Sequence, residues 1–138
     1  MTTVVDTDAL LGLVDQDDAH HETATNLTQA LADHNATTYI LPTTLCEFAL
    51  LSSRHIGRQP AQQAVAQLLQ STHVILPITD VLTQEAVALY QAQTSKEESL
   101  FDCYVMVAAQ HVQADGIFSF DHGYPKNGFR LMTALLGR

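Results

Sequence analysis

Basic residues are scarce in this chain: six Lys plus Arg stand against fifteen Asp plus Glu in 138 residues, a formal charge of -9. That balance excludes capture of a polyanion by bulk electrostatics, so any such partner must be held by local chemistry. Cysteine is scarcer still. Cys46 and Cys103 are the only two, too few for a disulfide scaffold and lacking the close pairing of a zinc or redox site, so reduced thiols in the core and a cytoplasmic setting are expected. The longest unbroken apolar run, Cys103 to Ala109, falls far short of the roughly 18 residues a membrane span needs. No basic segment precedes an apolar run near the N-terminus, so neither a membrane nor a secretory role is indicated. The seven His contain no H-E-x-x-H arrangement, and the adjacent His20 and His21 would point in different directions on a helix, which argues against zinc. Repeats, linkers and low-complexity stretches are missing too.

What is present is a 46% hydrophobic composition, which fits one domain over residues 1–138 with a radius of roughly 14 Å rather than two. Thr2 to Asp6 reads as a short buried strand. Ala9, Leu10, Leu13 and Val14 then recur with helical period, with Thr7 or Asp8 available as N-cap. A surface helix is expected within Asp17 to Asp33, a strand from Thr38 to Leu41 stopped by Pro42, and a helix from about Thr43 that breaks near Gly57. Pro60 starts another helix to about Gln70, and His73 to Ile78 is the third strand. Thr79 caps a helix to about Gln93, a polar loop runs to Glu98, and Leu100 to Val112 is a strongly apolar helix. Ile117 to Phe120 is a strand before the turn-like Asp121-His122-Gly123, and Phe129 to Thr133 supplies a fifth strand. Strands alternating with helices predict an α/β fold with a mainly parallel sheet, whose ligand crevice lies beyond the carboxyl ends of the strands.

Four acids fall at that edge. Asp6 closes the first strand, Asp121 closes the fourth, Glu47 lies one turn into the helix after the second, and Asp102 lies in the first turn of the helix before the fourth. All have apolar neighbours and none has a Lys or Arg beside it in sequence. Partly buried carboxylates are costly unpaired. A hard divalent cation would neutralise several at once, and Mg²⁺, with Mn²⁺ as an alternative, takes oxygen ligands while keeping waters, which points to phosphodiester hydrolysis. Each acid also has a structural use: Asp6 as a helix cap, Asp102 in a capping box with Ser99, Glu47 as a solvated helix residue, Asp121 as a turn former. Asp8 and Glu98 extend the acidic rim or serve as a cap and a loop residue. Thr7 and Ser119 orient a water or a carboxylate, or bond the local backbone. Arg54, His55 and Arg58 form the one small basic group, able to touch an RNA backbone or to sit as a solvated helix end.

Val4-Val5-Asp6-Thr7-Asp8-Ala9-Leu10-Leu11 resembles the opening of PIN domains. Ser99-Leu100-Phe101-Asp102 through Ala108-Ala109 resembles their third acidic motif, Ile117-Phe118-Ser119-Phe120-Asp121 their last, and Glu47 in Pro42-Thr43-Thr44-Leu45-Cys46-Glu47 matches the second acidic position. The likeness covers almost the whole chain and extends to the small stand-alone members, which look like the VapC toxins of toxin-antitoxin modules. It implies a three-layer α/β/α fold with a five-stranded sheet in the order 3-2-1-4-5, and a metal site of Asp6, Glu47, Asp102 and Asp121. It further implies a Mg²⁺- or Mn²⁺-dependent endoribonuclease acting on RNA, a homodimer, and inhibition by a cognate antitoxin. Asp8 stands where many relatives carry a neutral residue. Two other readings remain: a catalytically silent module whose acidic pocket captures an arginine-bearing peptide, and a haloacid-dehalogenase-like phosphatase built on Asp6-x-Asp8, for which only Lys96 and Lys126 could serve as the required lysine.

Overall fold

The computed structural model describes residues 1–137; Arg138, the last residue of the expected 1–138 domain, lies outside the described residues. Four strands, β1 (Thr2–Val5), β2 (Thr37–Ile40), β3 (Val74–Ile75) and β4 (Gly116–Phe118), pair in parallel in the order β3-β2-β1-β4. Val4 pairs with Tyr39 on one side and Ile117 on the other. Because side chains alternate across a strand, Val4 and Ile117 point into one apolar cluster while Val5, Ile40 and Phe118 point into the other.

The two clusters define the outer layers. On one face lie α5 (Asp80–Ala92) and α6 (Leu100–His111), which contribute Leu82, Ala86, Val105, Met106 and Val107. On the other lie α1 (Thr7–Val14), α2 (His21–Asp33), α3 (Pro42–Ile56), α4 (Arg58–Gln70) and α8 (Met132–Leu136), contributing Leu10, Leu27, Leu31, Phe48, Ala64 and Met132. A one-turn helix, α7 (Gly123–Lys126), follows β4 and buries Tyr124 in the first cluster. Pro42 opens α3 at the position where its missing N–H costs nothing. Gly57, at φ 92°, makes the break between α3 and α4 that a side chain would resist. Among the described residues no helix is long and apolar enough to cross a membrane.

The α/β architecture and the strand order β3-β2-β1-β4 agree with the sequence reading, with three corrections. The fifth strand is reduced to a single parallel bridge, Ile117 to Leu131. Leu131 is held there because Ile117 N–H donates to Arg130 O at 2.8 Å, but the chain turns into α8 at Met132, whose fully buried side chain serves the helical layer instead. Cys46 is exposed while Cys103 is buried as expected. The buried face of α3 runs through Thr44, Phe48 and Ser52, and Cys46, two residues from Thr44, lies some 200° around the helix. Finally, of the three residues offered as N-cap of α1, Asp6 takes the position and Thr7 and Asp8 do not.

Candidate active site

Since β1 leads to β2 and β3 on one side while β4 lies on its other, the sheet order reverses between β1 and β4, and the residues following those strands flank the crevice. Asp6 follows β1 and Ser119 to Asp121 follow β4. α3 delivers Glu47 and the first turn of α6 delivers Asp102. Asp6, Thr7, Asp8, Glu47, Asp102 and Asp121, together with Leu11 and Leu51, line one open cleft of about 200 Å³. All four acids expected from the sequence therefore meet, and Thr7 and Asp8 meet with them.

Hydrogen bonds fix most of these carboxylates. Asp6 is 5% exposed; its Oδ1 accepts from Thr7 N–H at 2.8 Å and its Oδ2 from the Tyr124 hydroxyl at 2.6 Å. The same phenol oxygen lies 3.4 Å from Asp102 Oδ1, so Tyr124, 1% exposed, bridges the two acids. Asp102 also completes a capping box, accepting from Ser99 N–H at 2.9 Å and donating its own N–H to Ser99 Oγ at 3.2 Å. Thr7 donates its hydroxyl to Glu47. Asp8 Oδ2 accepts from Phe120 N–H at 2.8 Å and Ser119 Oγ at 2.9 Å, and that hydroxyl lies 3.3 Å from Asp6 Oδ2. The structural and functional uses of Asp6 and Asp102 thus coexist, because a carboxylate has more acceptor sites than one cap consumes.

Charge is balanced far less well than hydrogen bonding. The two ion pairs among the described residues, His111–Glu85 and Lys126–Glu97, involve none of the cleft acids. Burial first, then the charges of Asp8 and Asp102, push the Asp6 carboxyl up to about 7 against the opposing pull of Tyr124 and Thr7. Burial likewise raises Asp8, Glu47 and Asp102, each further raised by a neighbouring acid: Asp121 for Asp8, Asp102 and Asp8 for Glu47, and Asp121 for Asp102. The Tyr124 phenol is held well above its ordinary value by burial and by Asp6 and Asp102, so it remains a neutral donor. Burial and the charges of Asp102 and Glu98 push the Cys103 thiol up to about 11, making it an inert packing residue.

A hard divalent cation fits this donor set. Every polar side chain lining the cleft offers oxygen, and the buried Asp8 Oδ1 has no hydrogen-bond partner. No three His, Cys, Asp or Glu side chains among the described residues are already drawn together as a metal-holding group. Mg²⁺ does not require one, since it is commonly held by one or two carboxylates and retains several waters.

A family model described as PIN domain matches residues 3–130. The chain belongs to the PIN domain family. This PIN domain resembles the crystal structure of Mycobacterium tuberculosis VapC20, a sarcin-ricin loop cleaving toxin, with TM-score 0.84 and 22% identity over 94% of this chain and 96% of that one. It also resembles VapBC2 from Rickettsia felis bound to a DNA fragment from their promoter, with TM-score 0.72 and 15% identity over 95% of this chain and 96% of that one. At such identities the likeness is one of fold. A comparison with curated protein sequences gave no significant match.

Other sequence candidates lie elsewhere. Arg54 and Arg58 are exposed at the end of α3 and the start of α4, and Arg58 borders a separate groove of about 480 Å³ with Ala49, Ser53, Ala61, Gln62 and Val65. Seven residues of helix carry Arg54 about 10 Å along the axis from Glu47. Glu98 is buried but does not line the cleft. No lysine lines it either, which removes the partner the phosphatase reading requires. The residue that sequence reasoning missed is Tyr124: a single tyrosine in the polar stretch after Asp121 carries no periodic signal, and only tertiary structure places it between Asp6 and Asp102.

Proposed function

We propose that this PIN domain is a Mg²⁺-dependent endoribonuclease, with Mn²⁺ as an alternative ion, acting as the toxin of a toxin-antitoxin pair. The observation that carries the reading is the convergence of Asp6, Glu47, Asp102 and Asp121 on one cleft with no ion-pair partner among the described residues. Asp6 and Asp102 would hold the principal ion, with Glu47 and Asp121 completing the charge cluster through water or a second ion. When bound, such an ion acidifies an attacking water and stabilises developing charge on phosphate oxygens. Thr7 holds Glu47 in place, Tyr124 and Thr7 N–H aim Asp6, and the Ser99 capping box aims Asp102. In this reading water is the nucleophile, and no covalent intermediate on the chain is required.

The likeness to VapC20, a sarcin-ricin loop cleaving toxin, supports an RNA substrate and that to VapBC2 supports a cognate antitoxin; pairing with a second copy of the chain rests on the resemblance to VapC toxins alone. Arg54 and Arg58 are the basic residues offered to the RNA backbone, a small number for a chain of charge -9. Incubating the purified chain with structured RNA is expected to give cleavage in Mg²⁺, none in excess chelator, and at least about 100-fold less with Asp6→Asn or Asp102→Asn. Equal cleavage by Asp6→Asn overturns the assignment. Uncut RNA together with tight capture of an arginine-bearing peptide would identify a silent binding module instead.

A further inference from the structure

After Asp121 the charge of the chain inverts. From His122 to the last residue there are three Lys and Arg, namely Lys126, Arg130 and Arg138, and no Asp or Glu, in a molecule whose formal charge is -9. Such asymmetry gathers positive potential on one part of an otherwise acidic surface. The fold sets this segment beside the acid cleft. Asp121 lines the cleft, and His122, the next residue, lines a separate groove of about 590 Å³ whose walls include Gly128, Phe129, Arg130 and Thr133.

Among the described residues the titratable side chains of this groove are His122 and Arg130, both exposed, and no acid lines it. Neither of the two ion pairs among the described residues engages Arg130. Its backbone is nonetheless fixed, because its carbonyl accepts from Ile117 N–H at 2.8 Å, so a guanidinium is presented at the outer edge of β4. Ile117 precedes Asp121 by four residues, at most about 14 Å of chain, which leaves Arg130 within a few nucleotides' reach of the acids. Phe129, half-buried against the first core cluster, supplies an aromatic wall on which a base can stack. Gly128 turns the chain into that wall at φ 88°, and nothing lies within 4 Å of where its Cβ would stand, so the backbone there is open to a ligand.

We propose that the groove between His122 and Thr133 is the track for the single-stranded RNA that flanks the scissile bond, with Arg130 on a backbone phosphate and Phe129 beneath a base. The proposal rests on the ribonuclease reading and adds to it the local chemistry by which an acidic protein holds a polyanion. Charge complementarity decides the occupant: the acids of the cleft attract a cation and repel phosphate, while the groove one residue further on carries the opposite sign. Guanidinium binds phosphate through paired N–H donors, and stacking on an aromatic ring does not depend on net charge.

Fluorescence anisotropy of a short labelled single-stranded RNA in chelator, together with steady-state cleavage of the same RNA in Mg²⁺, tests the track. Arg130→Gln is expected to weaken binding and raise KM by about 10-fold, the loss of one charge-assisted contact, with kcat unchanged, and to reduce the dependence of log affinity on log salt by about 0.7. Arg130→Lys is expected to keep the salt dependence. Lys96→Gln makes the same charge change at an exposed residue outside the groove and is expected to match wild type in both measurements. Cleavage by wild type with binding and KM unaltered in Arg130→Gln overturns the track and leaves the nuclease reading standing, as does weakened capture of an acidic peptide with RNA unaffected. RNA bound through Arg130 but never cut upholds the track and overturns the nuclease reading. Wild type that neither binds nor cuts RNA overturns both.

Discussion

Tyr124 places a neutral hydroxyl where a buried acid cluster commonly has a guanidinium or ammonium. Its bond to Asp6 lowers the cost of ionising that carboxyl without cancelling the charge that a metal would seek. Tyr124→Phe keeps the packing and removes the donor, so it is expected to destabilise the metal-free fold by about 1–3 kcal/mol above pH 7 and to weaken Mg²⁺ binding. Chemical denaturation at pH 8 with and without Mg²⁺ checks this; unchanged stability and affinity would make the phenol a packing group only. At this scale the four acids were legible because strand ends and first helical turns can be located from local sequence. The phenol was not, since its contact spans 118 positions. Cys46 was misplaced for a related reason: residue type suggests burial, but helical phase decides it.

Among the elements, the start of α6 is where stability and chemistry share parts. The Ser99 hydroxyl and Asp102 carboxyl hold each other's N–H, so the same residue that caps the helix is presented to the cleft. Ser99→Ala is expected to cost about 0.5–2 kcal/mol in denaturant unfolding and to reduce RNA cleavage far less than Asp102→Asn, because the Asp102 carboxylate keeps its bond from Ser99 N–H. Equal losses of activity in the two variants would mean that the cap alone sets the geometry. Helices and the first four strands were readable from period and punctuation, as at Thr79, which caps α5 as expected. Phe129 to Thr133 was not. Five residues carry too little periodicity to separate a strand from a single bridge followed by a helix, and the deciding interaction, burial of Met132 at the start of α8 in the second core cluster, is tertiary.

Over the whole molecule the acid centre opposes folding when it is ionised. A carboxyl that titrates near 3.8 when unfolded and about 7 in the fold, as Asp6 does, holds its proton more tightly in the native state. Between those values unfolding releases that proton, so stability falls as pH rises, by an amount on the order of a few kcal/mol for such a group. Asp8, Glu47 and Asp102 shift in the same direction. The metal-free wild type is therefore expected to lose melting temperature from pH 5 to pH 8 relative to Asp6→Asn, and Mg²⁺ is expected to raise it more at pH 8 than at pH 5. A wild-type-minus-variant difference that does not change with pH would remove Asp6 as the source.

The carboxylate at position 6 reaches the hydroxyls of Ser119 and Tyr124 across 113 and 118 positions, and β1 is flanked by a strand that begins only at Gly116. On a translating ribosome, β1, Glu47 and Asp102 are all synthesised before that flank exists. A nascent or prematurely terminated product lacking β4 holds three of the four acids yet has no seat for Asp6, so the hydrolytic capacity proposed for this molecule is withheld until β4 and the residues just after it have been made.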